Sequence, residues 1–317
     1  MSELFLGVDG GQSSTVALIG DETGRVLGAG RGGPCNHVSA AEARAKFVRV
    51  IGECVGAACA AAGLDAASVR YEAACLGFSG GPADKEPILR EMLRARALLV
   101  TTDAPIALSG ATGGEPGIIT IAGTGSIAFG RNRAGKTARA GGWGYVFGDE
   151  GGGFDIARQA LRAALRAEEG WGPPTTLLPR LLEAAGAASA NDLLHRFYTP
   201  EFPRSRVATF ARLVDEEAAR GDPTAIMILR RAAEELALIA AAVRQTLFAP
   251  GEPAQVAYIG GVFRSRTLLE HFRALVEREA GNHVGPPLYG PAAGALLEAY
   301  RAAGIAPRLS NLPEFKT

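Results

Sequence analysis

The sequence has few residues of the kinds that mark a metal-binding or redox protein. Of its 317 residues, only four are cysteine and four are histidine. The cysteines form no C-x-x-C pair, which excludes a zinc ribbon and a thioredoxin-like redox motif. We therefore expect four reduced, partly buried thiols. These are Cys35, Cys54, Cys59 and Cys75.

The sequence also lacks an excess of charge of one sign and any long apolar run. Lys plus Arg and Asp plus Glu each total 33, and no stretch gathers five or six like charges, so the footprint of a nucleic-acid or anionic-membrane binder is absent. The apolar run at 236–243 is too short to span a bilayer. The first residues lack the basic segment of a signal peptide. We expect a cytoplasmic protein that binds a small molecule.

The order of the predicted elements indicates an α/β protein. Three successive antiparallel strands open the chain and are followed by helix, strand, helix and strand, which is the order of a ribonuclease-H-like unit rather than of a doubly wound nucleotide-binding sheet. The predicted strands lie at 4–8, 15–19, 25–28, 73–78 and 97–101, and the predicted helices at 40–63 and 86–96.

A looser copy of this order begins at Gly117, and such a large-scale duplication indicates two similar domains. The chain is also about twice the usual domain length. We predict an N-terminal domain at 1–112 and a larger one at 113–317, with the final helix packing back on the first. In the second half, strands are predicted at 118–122, 125–130 and 256–259, and helices at 154–169, 223–247 and 292–303.

Two familiar phosphate motifs occur in unsuitable surroundings. Residues 130–137, GRNRAGKT, match the Walker A pattern, but that loop works only when its Lys and Thr open a helix. The glycine-rich 138–144 cannot continue a helix, so we predict a hairpin turn. Residues 28–33 match G-x-G-x-x-G but lead into Pro34, so the helix that a dinucleotide site needs is missing.

Two other glycine turns suit a phosphate better. Asp9-Gly10-Gly11-Gln12-Ser13 lies between the first two predicted strands, and Gly123-Thr124-Gly125 lies at the equivalent place in the second half. Glycines there expose backbone amides to an anion, and the carboxylate of Asp9 would hold Mg²⁺ through water. An ordinary hairpin is the alternative for either turn alone.

Asp103 follows an apolar predicted strand, at the kind of strand end where α/β proteins assemble sites. It would equally serve as the cap of a helix starting near Pro105. The pattern alone supports a catalytic role and a helix-capping role for Asp103 equally.

The stretch 141–153 combines glycines with aromatic and acidic residues, which indicates a shaped binding loop rather than a flexible linker. Trp143 would lie against a sugar or its acyl group, and Asp149 would accept sugar hydroxyls. For Tyr145 and Phe147 we favour core packing. Gly260-Gly261 would let the backbone approach an adenine ring, or would simply join a strand to a helix.

Taken in order, these segments resemble the BadF/BcrA-type ATPases of the actin-like superfamily, and within them the N-acetylglucosamine kinases. The resemblance spans nearly the whole chain. Its pieces are Asp9-Gly10-Gly11, Asn36-His37, Ser79-Gly80-Gly81, Thr101-Thr102-Asp103-Ala104, Gly123-Thr124-Gly125-Ser126, the loop from Gly142 to Gly151, and Gly260-Gly261-Val262-Phe263.

The resemblance implies two ribonuclease-H-like domains with a central cleft, a homodimer, and transfer of phosphate from ATP, with Mg²⁺, to the 6-hydroxyl of N-acetylglucosamine or a close amino sugar. It implies that Asp103 is the catalytic base and that Asp9 serves the metal. The sugar is assigned to Asn36, Ser79, Gly80, Asp103, Gly125, Ser126, Gly142, Trp143, Gly144 and Asp149. The nucleotide is assigned to Gly10, Gly11, Gln12, Ser13, Gly123, Thr124, Gly125, Gly260, Gly261 and Arg264.

Several alternatives remain open. Gln12 stands where this family usually has a further glycine, which makes the first turn bulkier. The tryptophan-containing loop resembles that of kinases for N-acetylated sugars, but glucosamine, N-acetylmuramic acid and glucose are other candidate acceptors. An ATPase activator with an iron–sulfur cluster would need a cysteine pattern that this sequence lacks. A sugar-sensing regulator would need a DNA-binding module.

Overall fold

The computed structural model describes residues 2–11, 13–35, 40–79 and 83–313, with the side chains of 40–42 excepted. The chain forms two compact units. The first comprises Met1–Glu115 together with Pro287–Thr317, and the second comprises Pro116–Pro286. The segment that follows the second sheet therefore returns to the first unit.

The first 115 residues contain five strands and three helices in the described part. They are β1 (Leu4–Gly10), β2 (Thr15–Asp21), β3 (Val26–Gly32), α1 (Ala40–Ala61), β4 (Tyr71–Phe78), α2 (Glu86–Met92), β5 (Ala95–Thr102) and α3 (Asp103–Thr112). Helix α2 is shorter than its predicted 86–96 because the chain is already extended at Leu93.

The remaining elements follow in chain order. They are β6 (Gly117–Ala122), β7 (Ser126–Arg131), β8 (Thr137–Gly141), α4 (Gly153–Glu168), α5 (Leu177–Ala185), α6 (Ala190–Phe197), α7 (Arg204–Ala208), α8 (Ala211–Ala219), α9 (Pro223–Leu247), β9 (Ala254–Ile259), a 3₁₀ turn (Gly261–Arg264), α10 (Arg266–Val276), β10 (Asn282–Gly285) and α11 (Pro291–Ala302). Among the described residues, no helix is both long and apolar enough to cross a membrane.

The two sheets have the same topology. The first has the order β3-β2-β1-β4-β5 and the second β8-β7-β6-β9-β10. In each, the first three strands pair antiparallel and the last two are added in parallel. This repetition confirms the predicted fold class of two ribonuclease-H-like α/β units.

The first sheet is covered on both faces, which explains why β1 is apolar from Leu4 to Val8. Leu6 and Val8 are fully buried in a cluster with α1, whereas Phe5 is buried on the opposite face with Leu296 and Tyr300 of α11. The alternation of side chains along a strand accounts for this division between faces.

Glycines let helices approach this sheet closely. A Cβ on Gly28 or Gly30 would lie 2.2 Å from the carbonyl oxygen of Ala58 or 2.0 Å from that of Cys54, both in α1. The G-x-G-x-x-G match at 28–33 is therefore a packing surface for α1 and not a dinucleotide loop. The Walker A match at 130–137 is a β7–β8 hairpin, as predicted.

Candidate functional site

The carboxyl ends of three parallel strands meet at one edge of the first sheet. Gly10 of β1 lies opposite Phe78 of β4, and Phe78 lies opposite Thr102 of β5. Residues that precede or follow these positions are therefore brought to the same edge. This register places Asp9 and Asp103 at that edge together with Ser79, although they are far apart in sequence.

Asp103 is an exposed carboxylate held by a serine. The Ser79 hydroxyl donates to Asp103 Oδ2 at 2.8 Å. The helix α3 begins at Asp103 itself, and its N-cap residue is Thr102, which makes no side-chain cap bond. Asp103 is thus in the first turn rather than at the cap. The sequence supported a catalytic carboxylate and a helix cap equally, and the geometry disfavours the cap.

Asp9 is mostly buried next to this carboxylate. Burial, and secondly the negative charge of Asp103, raise the pKa of Asp9 from its ordinary value of 3.8 to about 6. Its folded-state pKa thus exceeds its unfolded-state pKa. Asp9 therefore stabilises the fold most fully below pH 4, and this contribution is lost as the pH rises through 6.

Replacing Asp9 by Asn is expected to make the metal-free protein relatively more stable at high pH. One pKa unit corresponds to about 1.4 kcal/mol. The free energy of unfolding of Asp9→Asn, relative to that of the wild type, should therefore increase by about 2–3 kcal/mol between pH 4 and pH 8. Chemical unfolding in EDTA, without nucleotide, measures this difference.

Asp65→Asn provides a control of opposite sign. Asp65 is fully exposed, and hydrogen bonds, first from Ser68, lower its pKa. Its contribution is present at high pH and is lost as the pH falls, so this variant should lose stability relative to the wild type at pH 8. Equal pH profiles for Asp9→Asn and the wild type would contradict the assigned burial of Asp9.

The Asp9 carboxylate has the donor chemistry that Mg²⁺ requires. The ion takes carboxylate oxygens, commonly one or two, and completes its shell with water and phosphate. A cation here would offset the repulsion that helps to raise the pKa of Asp9. No group of three or more His, Cys, Asp or Glu suited to a metal occurs within the described ranges, so phosphate and water would supply the other ligands.

The first glycine turn is held on both sides. The Gly11 amide donates to the Ser14 carbonyl, and the Gly11 carbonyl accepts from the Cys35 amide, both at 3.0 Å. A Cβ on Gly10 would lie 2.3 Å from the Phe78 ring, so only glycine fits there.

Of the other residues predicted for the first unit's site, Ser13 is exposed. The predicted residues Gln12, Asn36 and Gly80 lie outside the described residues.

In the second unit, the equivalent turn is tied to the start of α4. The Gly153 amide donates to the Gly123 carbonyl at 2.8 Å, and the Phe154 amide donates to the Thr124 carbonyl at 3.0 Å. Gly260 has a φ of 118°, and a Cβ there would lie 2.1 Å from the Ala122 carbonyl oxygen. Glycine is therefore required where β9 passes the end of β6.

A cavity of about 620 Å³ opens beside this turn. Its size is typical of a site for a nucleotide-sized ligand. Four residues predicted for the nucleotide line it: Gly123, Thr124, Gly261 and Arg264. Gly125 and Gly260 are neighbours of lining residues.

Other lining residues had no signal in the sequence. They come from the helices inserted between α4 and α9, and include Ser205, Ala208, Thr209, Arg212 and Asp215. Nothing about their types or spacing marks a nucleotide site. Their position follows from how α7 and α8 pack against α4.

The loop 141–153 exposes its aromatic side chains. Trp143 is 65% exposed, with the Arg139 guanidinium 4.8 Å from its ring centre. The predicted core packing is wrong for Phe147, which is 85% exposed, and for Tyr145, which is 47% exposed and contacts Phe154 at its edge. Gly142 and Gly144 have φ values of 73° and 81°, a conformation that favours glycine at both positions of the loop.

Asp149 is buried at the base of this loop in an ion pair that the sequence did not predict. Its Oδ2 accepts from Arg204, and its Oδ1 lies 3.4 Å from the Ser126 amide. The Ser126 hydroxyl donates to the Glu150 carbonyl at 2.6 Å. A Cβ on Gly125 would collide with both the Asp149 carboxylate and the Arg204 guanidinium. Gly125 thus makes room for the pair.

All four cysteines are free and buried in the first unit, and burial raises the pKa of Cys35 and Cys54. Buried thiols of this kind are poor metal ligands. The burial of all four thiols therefore gives no support to the alternative of an ATPase activator with an iron–sulfur cluster.

Comparison with known proteins identifies the family. The family model described as the BadF/BadG/BcrA/BcrD ATPase family matches residues 6–299. An N-acetylmuramic acid/N-acetylglucosamine kinase of Clostridium acetobutylicum is 34% identical over 276 residues, covering 84% of this chain and 88% of the relative. An N-acetyl-D-glucosamine kinase of Dictyostelium discoideum is 32% identical over 286 residues, with the same two shares of 84% and 88%.

Among solved structures, a candidate N-acetylglucosamine kinase of Chromobacterium violaceum superposes with a TM-score of 0.71 at 29% identity, covering 93% of this chain and 98% of the other. A glucokinase of the ROK family from Streptomyces griseus, at 18% identity and a TM-score of 0.54, shares the fold over 94% of this chain and 99% of its own. Since the family model spans nearly the whole chain, the protein belongs to the BadF/BadG/BcrA/BcrD ATPase family.

Proposed function

We propose that this protein is an ATP-dependent kinase that phosphorylates the 6-hydroxyl of N-acetylglucosamine. The observation that carries the proposal is the exposed Asp103 carboxylate, held by Ser79 at 2.8 Å at the edge of the first sheet. A carboxylate in that position is able to take a proton from an alcohol. Its neighbour Asp9 supplies a second carboxylate for the metal of a nucleotide.

The named relatives support the reaction class. The two relatives described above are sugar kinases, that is, phosphotransferases with an alcohol acceptor, and both are named for action on N-acetylglucosamine. The chain covers 88% of each, so the comparison concerns nearly the whole of those enzymes. The chain is accordingly a sugar kinase, and N-acetylglucosamine is the acceptor that we propose for it.

Asp103 acts as the general base in this proposal. Its carboxylate accepts the proton of the sugar hydroxyl as that oxygen attacks the γ-phosphorus. The Ser79 hydroxyl occupies one carboxylate oxygen and so restricts its rotation, which leaves Oδ1 for the sugar. A primary hydroxyl such as O6 is the least hindered acceptor on the ring.

The cavity beside Gly123 is proposed to hold the nucleotide. Its lining includes the exposed guanidinium of Arg264 and the glycine backbone at Gly123 and Gly261, which permit close approach of a planar base and a polyphosphate. When bound, Mg²⁺ would neutralise charge on the transferred phosphoryl group, and Asp9 would help to hold it.

The sugar is proposed to contact the loop at 141–153. The exposed Trp143 ring offers an apolar face of the kind that packs on a sugar or an acetyl group. Asp149 keeps acceptor capacity on Oδ1, because a carboxylate has about four lone-pair sites and Arg204 occupies Oδ2.

The acceptor is tested with a panel of sugars. ADP release with Mg-ATP should be highest with N-acetylglucosamine, and lower with N-acetylmuramic acid, glucosamine and glucose. The product should carry its phosphate on O6, which ³¹P–¹H correlation by NMR identifies. Release without any sugar should be slow.

Each other outcome assigns a different function. A preference for N-acetylmuramic acid, glucosamine or glucose would replace the proposed acceptor but keep the kinase. Fast ADP release that no sugar increases would indicate an ATPase activator. Sugar binding without turnover would indicate a regulatory protein of the same fold.

A further inference from the structure

Arg204 is a charged residue that the proposed reaction leaves without a role. Its guanidinium pairs with Asp149 and lies 5.3 Å from the centre of the Tyr145 ring. It thus contacts the loop at 141–153, called the sugar loop below, at two points. The side chain is 36% exposed, against 8% for that of Asp149, so the carboxylate is the buried partner of the pair.

The backbone conformation of Asp149 makes its ion pair with Arg204 important for the loop. Asp149 has a φ of 65°, a left-handed conformation that is unfavourable for residues with a side chain. Aspartate tolerates it better than most residues do, and contacts of the carboxylate would add to this tolerance. Within the described part of the chain, the carboxylate has, apart from Arg204, one long contact, at 3.4 Å to the Ser126 amide. Without Arg204, a buried negative charge would be left uncompensated.

Arg204 also has an unsatisfied donor. Its Nε is buried and has no acceptor among the described residues. An unpaired buried donor is costly in a folded protein. Arg204 therefore keeps a buried donor that its pairing with Asp149 does not use.

The helix that carries Arg204 also lines the nucleotide cavity. Arg204 is the first residue of α7, and Ser205 and Ala208 of the same helix line the cavity of about 620 Å³. Ala208 also contacts the start of α4, since a Cβ on Gly153 would lie 3.1 Å from its carbonyl oxygen. One short helix therefore contacts both the sugar loop and the cavity.

We propose that Arg204 is a positioning residue that fixes Asp149 for the acceptor sugar and, through α7, makes sugar binding and nucleotide binding depend on each other. The inference rests on the proposed function for the identity of the two ligands. Coupling of this kind is reciprocal: the factor by which the nucleotide tightens sugar binding equals the factor by which the sugar tightens nucleotide binding.

The chain offers a matched control on the same helix. Arg206 also lies in α7, but its guanidinium stacks on Phe202 at 4.0 Å and donates to the Glu201 carbonyl at 2.8 Å. None of its described contacts involves Asp149. Arg206→Ala therefore removes an arginine from α7 without touching the sugar loop, and Arg204→Lys keeps the charge at the position under test.

The first measurement is independent of any ligand. Hydrogen–deuterium exchange of the peptide that contains 142–151 should be faster in Arg204→Ala than in the wild type, by about tenfold or more. It should be nearly unchanged in Arg206→Ala and intermediate in Arg204→Lys. Equal exchange of this loop in Arg204→Ala and the wild type would overturn the positioning role, whatever the protein's substrate.

The second measurement concerns the coupling. The affinity for N-acetylglucosamine is measured by calorimetry with and without a non-hydrolysable ATP analogue and Mg²⁺. The wild type and Arg206→Ala should show tighter sugar binding with the analogue, by a factor of about 5 or more. In Arg204→Ala this factor should fall to near one, with the affinity for the analogue alone retained.

The outcomes separate the two proposals. Failure of the wild type to bind N-acetylglucosamine would overturn the proposed acceptor, while the exchange measurement would still decide the role of Arg204. Weaker sugar binding in Arg204→Ala with an unchanged coupling factor would overturn the link through α7.

Discussion

Asp103→Asn is expected to lower the turnover of Mg-ATP and sugar by about 10²–10⁴-fold, the usual contribution of a general base. Asparagine keeps the shape of the side chain and still accepts from the Ser79 hydroxyl, which donates to Asp103 at 2.8 Å. It lacks the basicity to take a proton from the sugar. The loss should therefore lie in kcat rather than in KM. Steady-state ADP release measures both.

Binding is the control for this variant. Asp103 lies in the first turn of α3, whose N-cap residue is Thr102, so its replacement should cost little beyond a helix-dipole effect of about 0.3–1 kcal/mol. The affinity for a non-hydrolysable ATP analogue and the midpoint of chemical unfolding should remain close to the wild type. A variant that binds normally and also turns over at the wild-type rate would refute the role of Asp103 as base.

Gly294→Ala is expected to destabilise the first unit strongly. A Cβ at this position of α11 would lie 1.8 Å from the Ile106 carbonyl oxygen and 2.4 Å from the Gly110 amide nitrogen, both in α3. The obstructing atoms are backbone, so a side-chain rotation cannot relieve the clash. Overpacking typically costs about 1–3 kcal/mol, and we expect a loss at or above the upper end. Because α3 begins with Asp103, turnover should fall as well.

The same substitution at Gly56 should have the opposite sign. Gly56 lies inside α1, and a Cβ there meets no atom within 4 Å. Alanine is favoured over glycine in a helix interior by about 0.5–1 kcal/mol, so Gly56→Ala should stabilise the protein. Denaturant midpoints for the two variants and the wild type provide the comparison. A Gly294→Ala protein as stable as Gly56→Ala would contradict the close approach of α11 to α3.

Most of the strands and the longest helices followed from local patterns, whereas β8, β10 and α10 were not predicted. Helix α9 spans 223–247, as predicted. Its start is defined by Asp222, which caps it by accepting from the Ala225 amide, and by Pro223 in its first position. The antiparallel opening of each sheet also follows from short strands joined by turns. Helices α5 to α8 were not predicted, because short segments carry too little periodicity to define a helix.

Exposure was harder to predict than secondary structure. Phe147 and Tyr145 are large and apolar, and such residues are usually buried. They lie in a loop in which Gly142 and Gly144 adopt left-handed conformations. Since glycine permits both signs of φ, the sequence cannot show which one a loop adopts.

The sequence by itself determined the duplicated α/β architecture, the two glycine turns and the dismissal of both misleading phosphate motifs. These depend on backbone preferences and on neighbours in the chain. The tertiary structure decided the roles that depend on contacts between distant residues. The register of β1, β4 and β5 brings Asp9, Ser79 and Asp103 together, and the packing of α7 brings Arg204 to Asp149. Such contacts arise from pairing and packing across the fold, which no local pattern encodes.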